Sequence, residues 1–155
     1  MKKLDSYDRT LLNELQRDSK ISTQDLAKRA NLSATPCWRR IRKLEEDGII
    51  DKYIAILDPK KLGLNTIAYI HVSLLDHTEQ TIQTFDDFVS QHEQIIECCS
   101  ITGAEDYLIK VVARDPEGLE TFIMQKMLRL GIVRSSTTNF VLRQKKYSTK
   151  MPLNL

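Results

Sequence analysis

The chain has 155 residues, 41% hydrophobic and 28% charged, with 23 Lys/Arg against 21 Asp/Glu, which is material for one or two small soluble cores and not for a disordered polymer. No apolar run approaches the roughly 20 residues of a membrane-spanning helix, and Met1-Lys2-Lys3-Leu4-Asp5 is followed by no apolar signal core, so a cytoplasmic protein is expected. Cys37, Cys98 and Cys99, odd in number and two of them adjacent, exclude a disulfide framework and read as core thiols; His71, His77 and His92 are scattered, so neither a metal nor a cofactor is expected.

In chain order, a first helix is predicted over 5–17. Asp5 suits its cap and Asp8 its first turn, where the helix dipole favours a carboxylate; Tyr7, Leu11, Leu12 and Leu15 form one apolar stripe. Asp18-Ser19-Lys20 breaks it. A short second helix follows Ser22, which forms a capping-box pattern with Asp25; Leu26, Ala27 and Ala30 are its inward side, and Asn31 suits a left-handed end. A third helix begins near 33–35, with Pro36 in its first turn, and ends at Gly48. This order is a helix-turn-helix. Residues 49–57 alternate Ile50, Lys52, Ile54 and Ile56 against Asp51, Tyr53 and Ala55, and read as a strand or wing. Pro59, Gly63 and the charges between them mark a boundary. The expected division is a winged helix-turn-helix domain at 1–57, a linker at 58–65 and an α+β domain at 66–155.

Beyond the linker the period changes. The patterns predict a strand at 66–74, then a helix at 79–92 with Ile82, Phe85, Phe88 and Val89 on one side. A strand at 94–102, a polar turn at 103–106 and a strand at 107–113 follow. Asp115 caps a second helix, with Pro116 at its first position and Leu119, Phe122, Ile123, Met127 and Leu130 inward; a strand at 134–145 closes the domain. The order β-α-β-β-α-β is the ferredoxin-like plan, an antiparallel sheet with helices on one face, so the fold class is α+β. The sheet's other face is left bare, which predicts pairing with a second copy.

Charge is unevenly spread: residues 1–61 carry 14 Lys/Arg and 10 Asp/Glu, residues 62–155 carry 9 and 11. Lys28, Arg29, Arg39, Arg40, Arg42 and Lys43 fall in a stretch without a single acid. On a helical wheel Cys37, Ile41 and Leu44 take the core side of the third helix, and Thr35, Arg39, Arg42 and Glu46 lie opposite. Trp38 and Lys43 flank that outer face, and Arg40 lies nearer the core edge. Guanidinium groups clamp guanine O6 and N7, and hydroxyls reach phosphates or base edges. A solvated basic helix is the plainer reading; coincidence with the recognition position favours double-stranded DNA. Trp38 has two readings, packing on the first helix or the wing, which is slightly favoured, or contact with thymine methyls or the sugar-phosphate edge.

The turn Gly103-Ala104-Glu105-Asp106-Tyr107 has backbone N–H groups for a carboxylate, acids for an ammonium and an aromatic wall, which suits an amino acid; the same residues also make an ordinary hairpin turn. There is no P-loop, no G-x-S-x-G and no persuasive nucleophile–base pair, so a non-enzyme is expected. A regulatory subunit of a metabolic enzyme would explain the second half but leave the basic helix idle.

The run Ser33-Ala34-Thr35-Pro36-Cys37-Trp38-Arg39-Arg40-Ile41, with Leu44-Glu45 and Gly48-Ile49-Ile50 after it, resembles the Lrp/AsnC (leucine-responsive/asparagine-type, "feast/famine") transcriptional regulators. Leu57-Asp58-Pro59, Leu62-Gly63 and Gly103 to Tyr107 extend the likeness over essentially the whole chain. It implies DNA contact by Ser33, Thr35, Pro36, Trp38, Arg39, Arg40 and Arg42, to which the wheel adds Lys43. It implies an amino-acid effector such as leucine or methionine at Gly103, Ala104, Glu105, Asp106 and Tyr107, with Ser100, Thr102, Thr138 and Phe140 as wall residues, and Asp106 as the position governing response. It also implies homodimers joined into octamers on the nucleoid. A family member acting architecturally, without effector, is the alternative. The chain departs from the family at Leu130-Gly131-Ile132-Val133, where a proline-containing turn is usual, and at Ala104-Glu105, where an aspartate–aromatic pair is more common.

Overall fold

The computed structural model describes residues 3–153; the outermost positions of the two expected domains lie outside them. The chain forms two compact units. One holds the chain up to Ile56 together with the tail from Lys146, and the other is Leu57–Lys145.

The first unit is built on α1 (Ser6–Leu15), α2 (Thr23–Arg29) and α3 (Ala34–Glu46). Asp5 and Asp8 close a reciprocal capping box on α1, each side chain accepting the other's backbone N–H, so two otherwise orphaned donors are satisfied. The Ser22 hydroxyl accepts from the Asp25 N–H and donates to its carboxylate at the start of α2. Asn31 takes φ 52° after α2, and Gly48 takes φ 67° after α3. Leu11, Leu26, Ala27, Ala30 and Cys37 pack into one core, with Leu15, Ile21, Leu32 and Ile41 around it.

One expectation fails in this unit. Residues 51–58 hold no strand. Their alternation is real, but a strand needs a neighbour for its ladder bonds, and no segment among the described residues pairs there. Ile54 and Ile56 are consequently exposed; Tyr53 is anchored by its hydroxyl, which donates to Glu45 at 2.9 Å. By its contacts the tail from Lys146 also clusters with this unit. Gln16, at the end of α1, clasps the Met151 peptide from both sides: its Oε1 accepts the Met151 N–H at 2.6 Å and its Nε2 donates to the Met151 carbonyl at 3.3 Å.

The second unit contains β1 (Thr66–Leu74), α4 (Glu79–Gln91), β2 (Ile95–Ser100), β3 (Tyr107–Ala113), α5 (Pro116–Phe122) and β4 (Val133–Phe140). The strands form one antiparallel sheet in the order β2-β3-β1-β4, as the ferredoxin-like plan requires. Ala68, Ile70, Val72, Ile109 and Val111 meet Phe85, Phe88, Leu119, Phe122 and Met127 of the helical layer. On the opposite face, Lys110 Nζ lies 5.6 Å from the Tyr69 ring centre, and the buried Nδ1 of His71 has no hydrogen-bond partner.

Here too the sequence pattern overreached. β4 ends at Phe140, five residues short of the predicted end, and the helix after Asp115 is not uniform: α5 passes into a π turn at Ile123–Met127 and a 3-10 turn at Leu128–Leu130. Phe122 and Met127 are five apart, a spacing that an α-helix turns to different sides. The wider π turn keeps both inward, and both are buried. Of the three cysteines, only Cys37 is a core thiol; Cys98 and Cys99 lie exposed on the edge strand β2.

Candidate functional site

The outer face of α3 is the first site. Its polarity follows from its buried side: Cys37 and Leu44 are fully buried and Ile41 half-buried, so Thr35, Arg39, Arg42 and Lys43 are turned to solvent. Ser33 precedes the helix, and its hydroxyl makes no capping bond, which leaves it for an outside partner. Pro36 sits in the first turn, where its missing N–H costs nothing. The helix therefore presents free N–H groups, hydroxyls and three cations on one side.

Two residues are placed differently from expectation. Trp38, expected to be covered by packing, is instead 54% exposed. Its partner is Arg42, four residues on and hence on the same face, whose guanidinium lies 5.5 Å from the indole centre. Arg40, by contrast, is turned inward to the start of α1. One of its guanidinium nitrogens donates to Asp5 at 2.7 Å and to Asp8 at 2.8 Å, and the group lies 5.2 Å from the Tyr7 ring centre. Asp8 is buried, and the pair holds the Arg40 pKa above its ordinary value, chiefly through the Asp8 hydrogen bond. In this arrangement Arg40 joins α3 to α1. The sequence hinted at this only through its wheel position at the core edge; Asp8 as the receiving group lies 32 residues away.

The second site is the turn between β2 and β3. Gly103 adopts φ 131°, a conformation rarely taken by residues with a Cβ. Ser100 pairs with Tyr107 and Tyr107 with Val72, so the turn closes at the Leu74 end of β1. The Tyr107 ring stacks on Phe85 at 4.5 Å. Asp106 is held on every side: its N–H donates to the Val72 carbonyl, one carboxylate oxygen accepts from the Leu74 N–H at 2.7 Å, and the other meets His77 Nε2 at 2.9 Å. Ala104 accepts from the Ser73 hydroxyl. Ser100, Thr102 and Gly103 are exposed, and Glu105 half-buried. Thr138 and Phe140 are not gathered around this turn. They lie on β4 opposite Ile70 and Ala68, and the row of Phe140 is four residues along β1 from that of Val72, roughly 13 Å at strand rise. His77 escaped the sequence reading, since nothing in its spacing points to Asp106.

The Leu74 N–H, and then His77, hold the Asp106 carboxyl below its ordinary value of 3.8. A carboxyl depressed by folding stabilises the fold above its unfolded value and loses that contribution as pH falls through the folded one. The expected result is a second unit that weakens progressively below about pH 4. Asp106→Asn should flatten that acid limb in a urea-denaturation series against pH; an identical limb would mean that the turn's bonds are already broken in solution.

Among the described residues no group of three or more His, Cys, Asp or Glu side chains is placed to hold a metal, and no helix is long and apolar enough to cross a membrane.

Comparison with known proteins covers both units. Residues 4–51 match the winged helix-turn-helix DNA-binding family and residues 67–151 the Lrp/AsnC ligand binding domain. The transcriptional regulator AzlB of Bacillus subtilis is 33% identical over 151 residues, 97% of this chain and 96% of that one. The leucine-responsive regulatory protein of Escherichia coli is 35% identical over 150 residues, 97% and 92% of the two chains. Among solved structures, a Neisseria meningitidis transcriptional regulator in complex with L-Met superposes with a TM-score of 0.95 at 31% identity, over 98% of each chain. An AsnC family regulator of Agrobacterium tumefaciens gives 0.91 at 36% identity, over 97% of each.

Proposed function

We propose, from the premise that this chain belongs to the Lrp/AsnC family of DNA-binding transcriptional regulators, that it reads an operator with the outer face of α3 and changes its assembly or DNA affinity when an amino acid binds. The observation that carries the reading is the two-sidedness of α3, with Cys37 and Leu44 fully buried and Arg39, Arg42 and Lys43 in water. Arg39 and Arg42 take base edges, while Ser33, Thr35, Lys43 and the helix N-terminus take phosphate. Trp38 with its indole exposed carries Arg42 and meets sugar or a thymine methyl. The protein acts by binding, without a reaction of its own, in the cytoplasm and on the nucleoid.

In the second unit we place the effector at the turn 103–107. Support comes from the Gly103 conformation, from the acidic pair Glu105 and Asp106, and from the neighbour crystallised with L-Met. An ammonium group entering there competes with His77 for Asp106, so binding and rearrangement of the turn are one event. Dimers pair through the bare sheet face, where the orphaned His71 Nδ1 needs a partner, and dimers join into octamers. A dimer brings two α3 helices to half-sites one helical turn apart.

A thermal-shift screen of the twenty amino acids tests the effector. A few, methionine or leucine among them, are expected to raise the melting temperature with concentration. Asp106→Asn, which keeps an oxygen for the Leu74 N–H but removes the charge, should abolish that rise. If none of the twenty shifts the transition while DNA binding persists, the chain is the architectural, effector-free member of its family.

A further inference from the structure

The last fifteen residues are unlike the rest of the chain after the linker. Residues 57–140 carry 7 Lys/Arg against 12 Asp/Glu, whereas residues 141–155 carry four cations, Arg143, Lys145, Lys146 and Lys150, and no acid. Residues 141–151 of this segment fall within the span that matches a ligand-binding domain. From Lys146 onward it nevertheless packs with the helix-turn-helix unit, where Gln16 grips the Met151 peptide from both sides. Lys146 and Lys150 are exposed and enter no ion pair among the described residues.

We infer that the tail around Lys146 and Lys150 is a second DNA-contacting element of the first unit, taking backbone phosphates without regard to sequence. A peptide tied to α1 by a two-way amide clasp travels with that unit. Its cations add to an already positive body, residues 1–56 carrying 12 Lys/Arg against 9 Asp/Glu. A unit of this size has a radius of gyration of only about 11 Å, so a tail held on α1 is carried with the unit as it docks, and its charges add to the field that the duplex meets. Phosphate is the partner that fits exposed ammonium groups on an acid-free run, since an ammonium lacks the planar fork of a guanidinium; base reading needs Arg or amide pairs. In the family's two-domain plan the tail would thus return to the DNA-binding half a positive charge that the acidic second half withholds.

The test is a salt series of fluorescence anisotropy with the full-length protein, on an operator duplex and on a random-sequence duplex. This inference rests on DNA binding by the first unit: wild-type protein binding neither duplex would sink that reading and this one together. Lys146→Gln/Lys150→Gln should lower the slope of log affinity against log salt by about 0.9 for each phosphate no longer neutralised. The affinity should fall equally on the two duplexes, with circular dichroism and sedimentation mass unchanged. Gln16→Ala, which keeps every charge and frees the tail, should give a slope between wild type and the double variant. An unchanged slope in the double variant overturns the inference, as does a wild-type slope in Gln16→Ala. A lower slope accompanied by a smaller particle also overturns it, assigning the tail to an interface with a second copy.

Discussion

Arg42→Ala is expected to weaken operator binding by about 10- to 100-fold, as removal of one good base-reading side chain worth ~1–3 kcal/mol requires, while leaving the oligomer intact in gel filtration. Arg42 projects from the face opposite Cys37 and Leu44, so its removal opens no cavity. Its internal partners are slight: a Glu46 carboxylate at 3.9 Å, one turn on, and the face of Trp38. Such an exposed ion pair contributes little. The indole matters more, because it orients a planar fork that would otherwise lose rotamer freedom on binding. Arg42→Lys should therefore recover the random-duplex affinity but not the operator preference, since an ammonium keeps the charge and loses both the fork and the stack. Trp38→Ala should reduce operator affinity in the same direction. Dissociation of the oligomer by Arg42→Ala would place this side chain in an interface and remove it from the groove.

The local rules written into the chain were legible: the capping of α1 by Asp5 and Asp8 and of α2 by Ser22, the left-handed Asn31 and the proline-first α5 all follow from nearest-neighbour chemistry. Distant pairings were not. No periodicity tells an alternating segment such as 51–57 whether a neighbouring strand exists, and it stays unpaired. Trp38 was expected to seek a hydrophobic wall because large aromatics do; a guanidinium at i+4 served instead. Asp106 stood out in the sequence, but His77, 29 residues before it, did not. The tail's contact with the first unit was hidden for the same reason, since a clasp between Gln16 and Met151 spans 135 residues and rests on a side-chain amide that composition cannot distinguish from any other.

Arg40 offers the sharpest separation between a groove-reading side chain and an internal fastener, because the two roles predict opposite coupling to Asp8. A groove-facing arginine would lose DNA affinity on replacement, with little change in folding and no dependence on residue 8. An arginine that neutralises a buried carboxylate loses stability first. Asp8 is 5% exposed and its Oδ1 is bonded to Arg40 at 2.8 Å, so Arg40→Ala strands a desolvated negative charge at the N-terminus of α1. The cost of such a stranded group is about 1–3 kcal/mol, and in a unit of this size each kcal/mol lowers the melting temperature by roughly 4–8 °C. Arg40→Ala is thus expected to reduce the first unit's melting temperature by on the order of 10 °C. Operator and random-duplex binding should weaken only as the fold frays or α3 tilts. Asp8→Asn in the Arg40→Ala background should return part of the stability, since the neutral amide no longer needs a cation. A double-mutant cycle read by thermal unfolding measures that coupling directly. Additive effects at the two positions, with operator affinity falling while the melting temperature stays put, would return Arg40 to the DNA-contacting set and dissolve the fastener between α1 and α3.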